Sequence, residues 1–281
     1  LPVYEPSGRS ISPSNRSQHY FDLDTKRWVR TVNKATHTGA NCGAAWWVES
    51  VNRVIAVTGS ASVYRTTADI FNPLTKTWST AAILANVPGV GTVGLPIAAE
   101  HGGIRDYPPA SLVLNFCPVT DASNAPNSAG TKHMIHAADI TAVLAGSATF
   151  QPLTVTAASW PLLGAGGVTG SGTIGTIGWC YCPLNGCFHA INGLNGSTTL
   201  WKLAPPAGAT GQADYLSGTW SITTETLASG ISNPGAGGTG NASSIYDRLR
   251  WSAKARGGLG ALVYMSEYTL NRVQQIVPAG L

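Results

Sequence analysis

Charged side chains are scarce in this sequence. Asp, Glu, Lys and Arg make up 11% of the 281 residues, compared with about a quarter in an average globular protein. The net charge is +4, but the 17 Lys and Arg residues form no cluster, which excludes the basic stripe that tracks a phosphate backbone. Nucleic acid is therefore not an expected partner. A surface built mainly from Ser, Thr, Asn, Gly and backbone suits an extracellular or virion-associated protein better than a cytosolic one.

Long apolar runs and recognisable catalytic motifs are also missing. No apolar run approaches the roughly 18 residues that cross a bilayer, so no membrane span is predicted. The sequence has no Gly-x-Ser-x-Gly elbow and no Gly-Lys-Ser/Thr phosphate motif. Its 13 acidic residues show no pairing that predicts the two converging carboxylates of a glycoside hydrolase. We therefore expect no enzyme activity and no cofactor.

The sequence is rich in residues that make turns and in tryptophan. It has 33 Gly, 17 Pro and 9 Trp, and no stretch keeps a helical period for more than about two turns. An octapeptide occurs twice, as Phe-Asp-Leu-Asp-Thr-Lys-Arg-Trp at 21–28 and Phe-Asn-Pro-Leu-Thr-Lys-Thr-Trp at 71–78. Each copy predicts a strand, a tight turn and a second strand, with aromatic residues able to pack on one pleated surface.

These hairpins belong to a longer pattern of four-stranded antiparallel meanders, each of which would be one blade of a β-propeller. One meander is predicted over 44–78, and another over 176–227. A third, over 91–156, has Val93 to Ala98 as its inner strand and two long insertions, 99–109 and 118–132. Residues 249–277 supply three strands, and the missing fourth is available near the N-terminus, around 20–32. We predict an all-β propeller of about five blades (four to six possible) whose ring is closed by its N- and C-terminal strands.

The domain organisation that follows is simple. Residues 1–18 are rich in Ser, Pro and Arg without a period, which predicts an N-terminal arm or linker. Residues 19–281 then form a single propeller domain.

The repeated unit resembles a known family. A strand, a glycine, a strand and then the pattern aromatic-Asp/Asn-x-x-Thr-Lys-x-Trp is similar to the kelch-type β-propeller repeat, whose fourth strand begins at the Trp. The resemblance covers 20–82 well and 173–227 moderately. Galactose-oxidase-like, bacterial sialidase and phage tail propellers look similar at this level. The resemblance implies a scaffold that hosts many functions.

The densest polar stretch predicts a ligand-binding loop inside the first insertion of the 91–156 blade. Acid, imidazole, guanidinium and phenol groups come together there with two glycines, a combination suited to hydrogen bonding and stacking on a sugar or peptide. The alternative is a solvated loop whose Arg and Asp pair with neighbours. The candidate residues are Glu100, His101, Arg105, Asp106 and Tyr107.

Four residues of one hairpin form a weak candidate metal site. Cys180 and Cys182 share one face of a strand, and the following turn is expected to place Cys187 opposite Cys182 and His189 opposite Cys180. Three thiols and an imidazole are a possible zinc set. A Cys182–Cys187 disulfide and buried free thiols are the alternatives, and we favour the free thiols because inner blade strands are covered on both faces. No resident metal is therefore predicted.

The predicted function is a non-catalytic, extracytoplasmic binding or structural module. It would display loops to a surface glycan or a protein partner, or serve as a virion subunit in a phage tail or adhesin, in which homo-oligomers are one possible arrangement. The virion setting follows from the resemblance alone. The alternative is a secreted carbohydrate-active enzyme of galactose-oxidase-like or sialidase-like type.

Overall fold

The structure is a computed structural model. It describes residues 3–5, 19–22, 27–30, 42–59, 63–97, 103–119, 125–126, 132–156, 179–191, 199–227, 249–265 and 273–278. Nearly all of the secondary structure in these ranges is β-strand. No helix in them is long and apolar enough to cross a membrane.

The N-terminal strands form a three-stranded antiparallel sheet: β1 (Val3–Glu5), β2 (His19–Asp22) and β3 (Arg27–Arg30). Phe21 lies opposite Trp28 in the β2–β3 ladder, as the first octapeptide predicts. Strand β1 falls inside the predicted arm and pairs with β2, so this part of the arm belongs to the first sheet.

The next unit is the four-stranded meander predicted over 44–78. Its strands pair in the order β4 (Cys42–Val48), β5 (Arg53–Gly59), β7 (Thr67–Asn72) and β8 (Thr77–Val87). Phe71 lies opposite Trp78, and their ring centroids are 4.9 Å apart. The turn between them is fixed by the Asn72 side chain, which accepts a hydrogen bond from the Leu74 N–H. This meander is confirmed.

A strand pair outside the meanders corrects one prediction. Residues 93–98 were expected to form the inner strand of the next blade, but β9 (Gly91–Ile97) instead pairs with the second half of β8 and with β6 (Val63–Arg65). The reason is the tight turn at 88–90, in which Gly89 takes a positive φ and folds β9 directly back on β8.

The inner strand of that blade comes from the predicted insertion 99–109, so the prediction of a loop is wrong for 103–107. The meander consists of β10 (Gly103–Tyr107), β11 (Leu112–Val119), β12 (Lys132–Asp139) and β13 (Ala148–Pro152). A short helix, α1 (Ile140–Ala145), links β12 to β13 and begins with an Asp139 cap. All five residues of β10 are buried, because neighbouring sheets cover both faces of an inner strand.

The remaining strands confirm the last two predicted units. Strands β15 (Cys180–Cys182), β16 (Cys187–Ile191), β17 (Thr199–Ala204) and β18 (Thr219–Thr226) form a meander, with α2 (Gln212–Ser217) before β18. A short strand, β14 (Thr154–Val155), pairs with β18. Finally β19 (Leu249–Ser252), β20 (Ala261–Met265) and β21 (Val273–Ile276) form a three-stranded sheet.

The sheets are arranged side by side as the blades of a propeller. The inner strand β10 lies against β4 on one side and β15 on the other, and β15 lies against β19. Separate apolar cores lie between the meanders of β4 and β10, between those of β10 and β15, and between that of β15 and the sheet of β19. The all-β propeller fold is therefore confirmed. The number of blades stays a prediction, as does ring closure, because the ladders between described strands do not join the sheet of β1 to that of β21.

We expect Gly260→Ala to destabilise the last sheet strongly. Gly260 has φ +80°, and a Cβ placed there would overlap Cζ2 of Trp251, so the substitution adds a clash to a strained backbone. The loss in free energy of unfolding should be about 3 kcal/mol or more. Gly257→Ala is the matched control, because Gly257 also has a positive φ, +69°, but nothing lies within 4 Å of its Cβ position. This substitution should lower the free energy of unfolding by only about 1 kcal/mol. Urea unfolding measures both, and equal losses would contradict the predicted clash.

Candidate functional site

The four described inner strands place equivalent residues at matching positions before their turns. The last paired residues before the turns are Val48, Tyr107, Cys182 and Ser252, which lie opposite Arg53, Leu112, Cys187 and Ala261. Two residues earlier on each strand lie Trp46, Arg105, Cys180 and Arg250, which we call the axial residues. Because the inner strands are neighbours in this order, the axial residues occupy one layer across the middle of the propeller.

Two guanidinium groups in this layer lie on the same tryptophan ring. Cζ of Arg105 is 4.2 Å from the centroid of the Trp46 ring, and Cζ of Arg250 is 4.6 Å from it. Both distances are well inside the range of a cation–π interaction. Two of the strands that carry these residues, β4 and β10, begin different four-stranded meanders, and β19 belongs to the last sheet, so this contact depends on how the blades are arranged.

Arg105 is held firmly in place. Its Nε donates a hydrogen bond to the Trp179 carbonyl oxygen, and its Nη1 donates to the Ile104 carbonyl oxygen at 2.8 Å. The guanidinium also lies over Gly103, where a Cβ would come within 3.2 Å of it. Arg105 is 3% exposed, whereas Trp46 and Arg250 are half-buried.

The axial layer therefore brings two guanidinium groups onto one aromatic ring. In a partly buried position the interaction of such a charge with an anion is stronger than in water. A guanidinium can bind a carboxylate or phosphate through two parallel hydrogen bonds. Arg250 and Trp46 are the half-buried members of the layer, whereas Arg105 is almost fully buried. An anionic group is the ligand that this chemistry favours.

Asp106 lies next to the axial layer and points to the other side of β10. Ser50 Oγ donates to its Oδ2 at 3.5 Å, and backbone N–H groups of Glu49 and Ser50 also hydrogen-bond to the carboxylate. Within the described part of the chain, its Oδ1 has no hydrogen-bond partner. Burial raises the pKa of Asp106 to about 6, and the nearby Glu49 carboxylate adds to this increase.

Tyr107 belongs to the core between two blades. Its ring is 1% exposed and lies 5.3 to 5.7 Å from four aromatic rings, those of Tyr181, Phe188, Tyr215 and Trp220. Burial holds the pKa of its phenol well above the ordinary value. Its predicted contact with a ligand stays a prediction, as does that of Glu100 and His101, which lie outside the described residues.

The cysteine hairpin has the predicted register. Cys182 lies opposite Cys187, and Cys180 lies opposite His189. Cys182 and Cys187 carry thiols rather than a disulfide. His189 hydrogen-bonds through Nε2 to the Asn185 side chain at 3.1 Å, and burial lowers its pKa to about 4. In the ranges that the structure describes, no three His, Cys, Asp or Glu side chains are placed to hold a metal ion.

Sequence reasoning selected Arg105 and Asp106 but missed their partners. Neither Trp46 nor Arg250 was among the candidate residues. One signal was present: Arg-Asp-Tyr at 105–107 and Arg-Trp-Ser at 250–252 both place an arginine two residues before the end of an inner strand. That signal is readable only once β10 is recognised as a strand.

Comparisons with known proteins support the fold alone. No protein-family model matches the chain, and no curated protein sequence does. A protein of unknown function from Bacteroides thetaiotaomicron has a similar structure, with a TM-score of 0.52 and 11% identity over 98% of this chain and 56% of that one. Hydrazine synthase from Kuenenia stuttgartiensis has a TM-score of 0.49 and 12% identity over 95% of this chain and 66% of that one. The chain thus spans less than two thirds of the length of either structure.

Asp106→Asn tests the environment of the buried carboxyl. The folded-state pKa of about 6 lies above the ordinary value of 3.8, so between these values the folded state binds more protons than the unfolded state. The stability of the wild type should therefore fall as pH rises from 4 through 6, by roughly 2 to 3 kcal/mol. The amide in the variant cannot ionise, so the stability of the variant relative to wild type should increase over the same interval. Thermal unfolding at pH 4, 5, 6 and 7.5 measures this difference, and parallel curves for the two proteins would contradict it.

Proposed function

We propose that the chain is a non-catalytic binding module that receives an anionic group at the centre of its ring. The observation that carries this proposal is the pair of guanidinium groups, from Arg105 and Arg250, on the single ring of Trp46. Each comes from a different inner strand, and Arg105 is fixed by hydrogen bonds and by the small Gly103. Preorganised donors lose little freedom on binding, which favours affinity.

A glycan with carboxylate groups is the ligand class that we favour. The accessible part of the site consists of one half-buried arginine and one half-buried tryptophan. Arg250 can bind the carboxylate of a sugar acid through two parallel hydrogen bonds, while the Trp46 ring stays in contact with both guanidinium groups. A patch of this size is smaller than the roughly 800 Å² per partner that a stable protein interface buries. A sugar acid therefore suits it better than a folded protein.

The setting in this proposal is extracytoplasmic, as a virion subunit such as a phage tail or adhesin protein. Its support is the low content of charged residues and the resemblance of the repeat to propellers that occur in such assemblies. A structural subunit should associate with copies of itself or with neighbours. Light scattering on the isolated chain distinguishes a monomer from an oligomer.

Arg250→Gln should weaken binding of a carboxylated glycan about 10- to 100-fold, because it removes a charge-assisted hydrogen bond. Arg250→Lys should recover only part of the affinity, since a lysine cannot form the two parallel bonds. Lys254→Gln is the matched control: it removes the same charge from an exposed position beyond the same strand and should bind as the wild type does. The measurement is an array of glucuronate- and sialate-containing glycans with neutral counterparts, followed by titration calorimetry. Equal binding by all variants, or a preference for neutral glycans, would overturn the proposal.

A carbohydrate-active enzyme is the second candidate, and one observation favours it. Asp106 has a pKa of about 6, suited to a general acid, and lies near the Glu49 carboxylate. The same Asp106 also fixes the turn at Glu49 and Ser50, which is a structural role. Chromogenic glycosides assayed with wild type and Asp106→Asn decide between these roles. Turnover by the wild type that is lost in the variant would favour the enzyme, whereas no turnover by either would favour the binding module.

A further inference from the structure

Two cysteines that are not axial residues, Cys182 and Cys187, are placed for disulfide formation. Cys182 ends β15 and Cys187 begins β16, and the two residues lie directly opposite each other across a four-residue turn. Side chains in such positions have Cβ atoms about 4.5 to 5.5 Å apart, whereas a disulfide needs about 3.5 to 4.5 Å. A small closing movement of the hairpin would therefore be sufficient.

The two sulfur atoms also lie against the same turn. Sγ of Cys187 donates a hydrogen bond to the Asn185 carbonyl oxygen at 3.2 Å. Backbone N–H groups of Leu184 and Asn185 hydrogen-bond to the Cys182 sulfur. Both thiols thus meet the peptide groups of one short segment, and Cys182 is close enough to Cys187 to contribute to raising the pKa of the Cys187 thiol.

The turn is held by contacts that a closed hairpin would retain. The Gly186 N–H donates to the Cys182 carbonyl oxygen at 3.0 Å, and the Asn185 side chain accepts from the Cys187 N–H at 3.1 Å. Gly186 has φ +67°, which a glycine adopts without strain. Bridging the sulfurs would therefore require little rearrangement of the backbone.

The environment makes the two thiols unequal. The Cys182 thiolate is favoured by two N–H groups and by the positive charge of Lys202, whereas Cys187 has Lys202 but also the negative charge of Glu225 nearby. Burial opposes ionisation of both and raises both pKa values. Both residues are almost fully buried, but Leu184 in the turn is 52% exposed, so access to the sulfurs is through local opening of this turn.

We propose that Cys182 and Cys187 are a redox site that forms a reversible disulfide when the protein meets a small-molecule disulfide such as oxidised glutathione. The Cys182 thiolate attacks one sulfur of the oxidant, forms a mixed disulfide and releases one glutathione thiolate. The Cys187 thiolate then attacks the Cys182 sulfur and releases the second. The two protons lost by the cysteines are taken up by the two glutathione molecules, so the oxidant is reduced by two electrons and the hairpin is oxidised by two.

This site is independent of the proposed ligand. Cys182 belongs to the apolar core between the third meander and the last sheet, together with Leu249 and Leu262. A bond between β15 and β16 would fix the register of a hairpin whose inner strand also carries the axial residue Cys180. The disulfide should therefore raise the melting temperature of the chain whether or not an anion binds.

The test is treatment of the full chain with oxidised glutathione at pH 8, followed by non-reducing peptide mapping by mass spectrometry. We expect a Cys182–Cys187 link, the loss of two of the 5 cysteine thiols, full reversal by dithiothreitol, and a higher melting temperature for the oxidised form. Cys180→Ser is the matched control, because Cys180 lies on the same face of β15 but opposite His189; this variant should still form the link.

The single variants separate the two steps. In the Cys187→Ser variant, oxidation should stop at a stable mixed disulfide between Cys182 and glutathione. The Cys182→Ser variant should react with oxidised glutathione much more slowly. The proposal is overturned if the mapped wild type keeps both thiols after prolonged oxidation, or if its link joins a different pair. The map of the wild type decides this even if a variant fails to fold.

Discussion

Burial of both faces of the inner strand β10 is the constraint on which this structure depends. A sheet that stands between two neighbours has no solvent face, so its inner strand must bury whatever residues its sequence supplies. In β10 this includes Arg105 and Asp106. The guanidinium is accommodated by a tryptophan ring, two carbonyl oxygens and the space above a glycine. The carboxylate is accommodated by the turn of the preceding blade. The residues that form the candidate site are therefore also part of the packing between blades.

Local patterns predicted the hairpins well because short turns fix the register. Phe21 and Trp28, and likewise Phe71 and Trp78, are opposite each other as the repeated octapeptide implied. The cysteine hairpin has the expected register for the same reason. Strand β10 was missed because strong polarity normally marks a loop, and here long-range burial overrides that tendency. Strand β9 has the apolar pattern of an inner strand, but a tight turn determines its partner.

The candidate site could be predicted only in part. Arg105 and Asp106 were selected because their side chains suit binding, although they were expected in a ligand-binding loop and lie in a buried strand. Trp46 and Arg250 are 204 positions apart in the sequence, and nothing in the residues around either one indicates that they meet. Their contact arises because inner strands of different blades approach each other, and no single segment of the sequence determines that arrangement. The fold class was thus accessible from repeats and turns, whereas the site required the arrangement in space.

The segment from Ala148 to Val155 determines how the blades are coupled during unfolding. Strand β13 runs parallel to β8 of the preceding blade and antiparallel to β12 of its own blade, and β14 then runs parallel to β18 of the following blade. One stretch of chain therefore links three successive blades through main-chain hydrogen bonds. Unfolding any one of these blades must break backbone hydrogen bonds with another blade. The three blades should therefore unfold cooperatively, and a mechanical load would be shared among them.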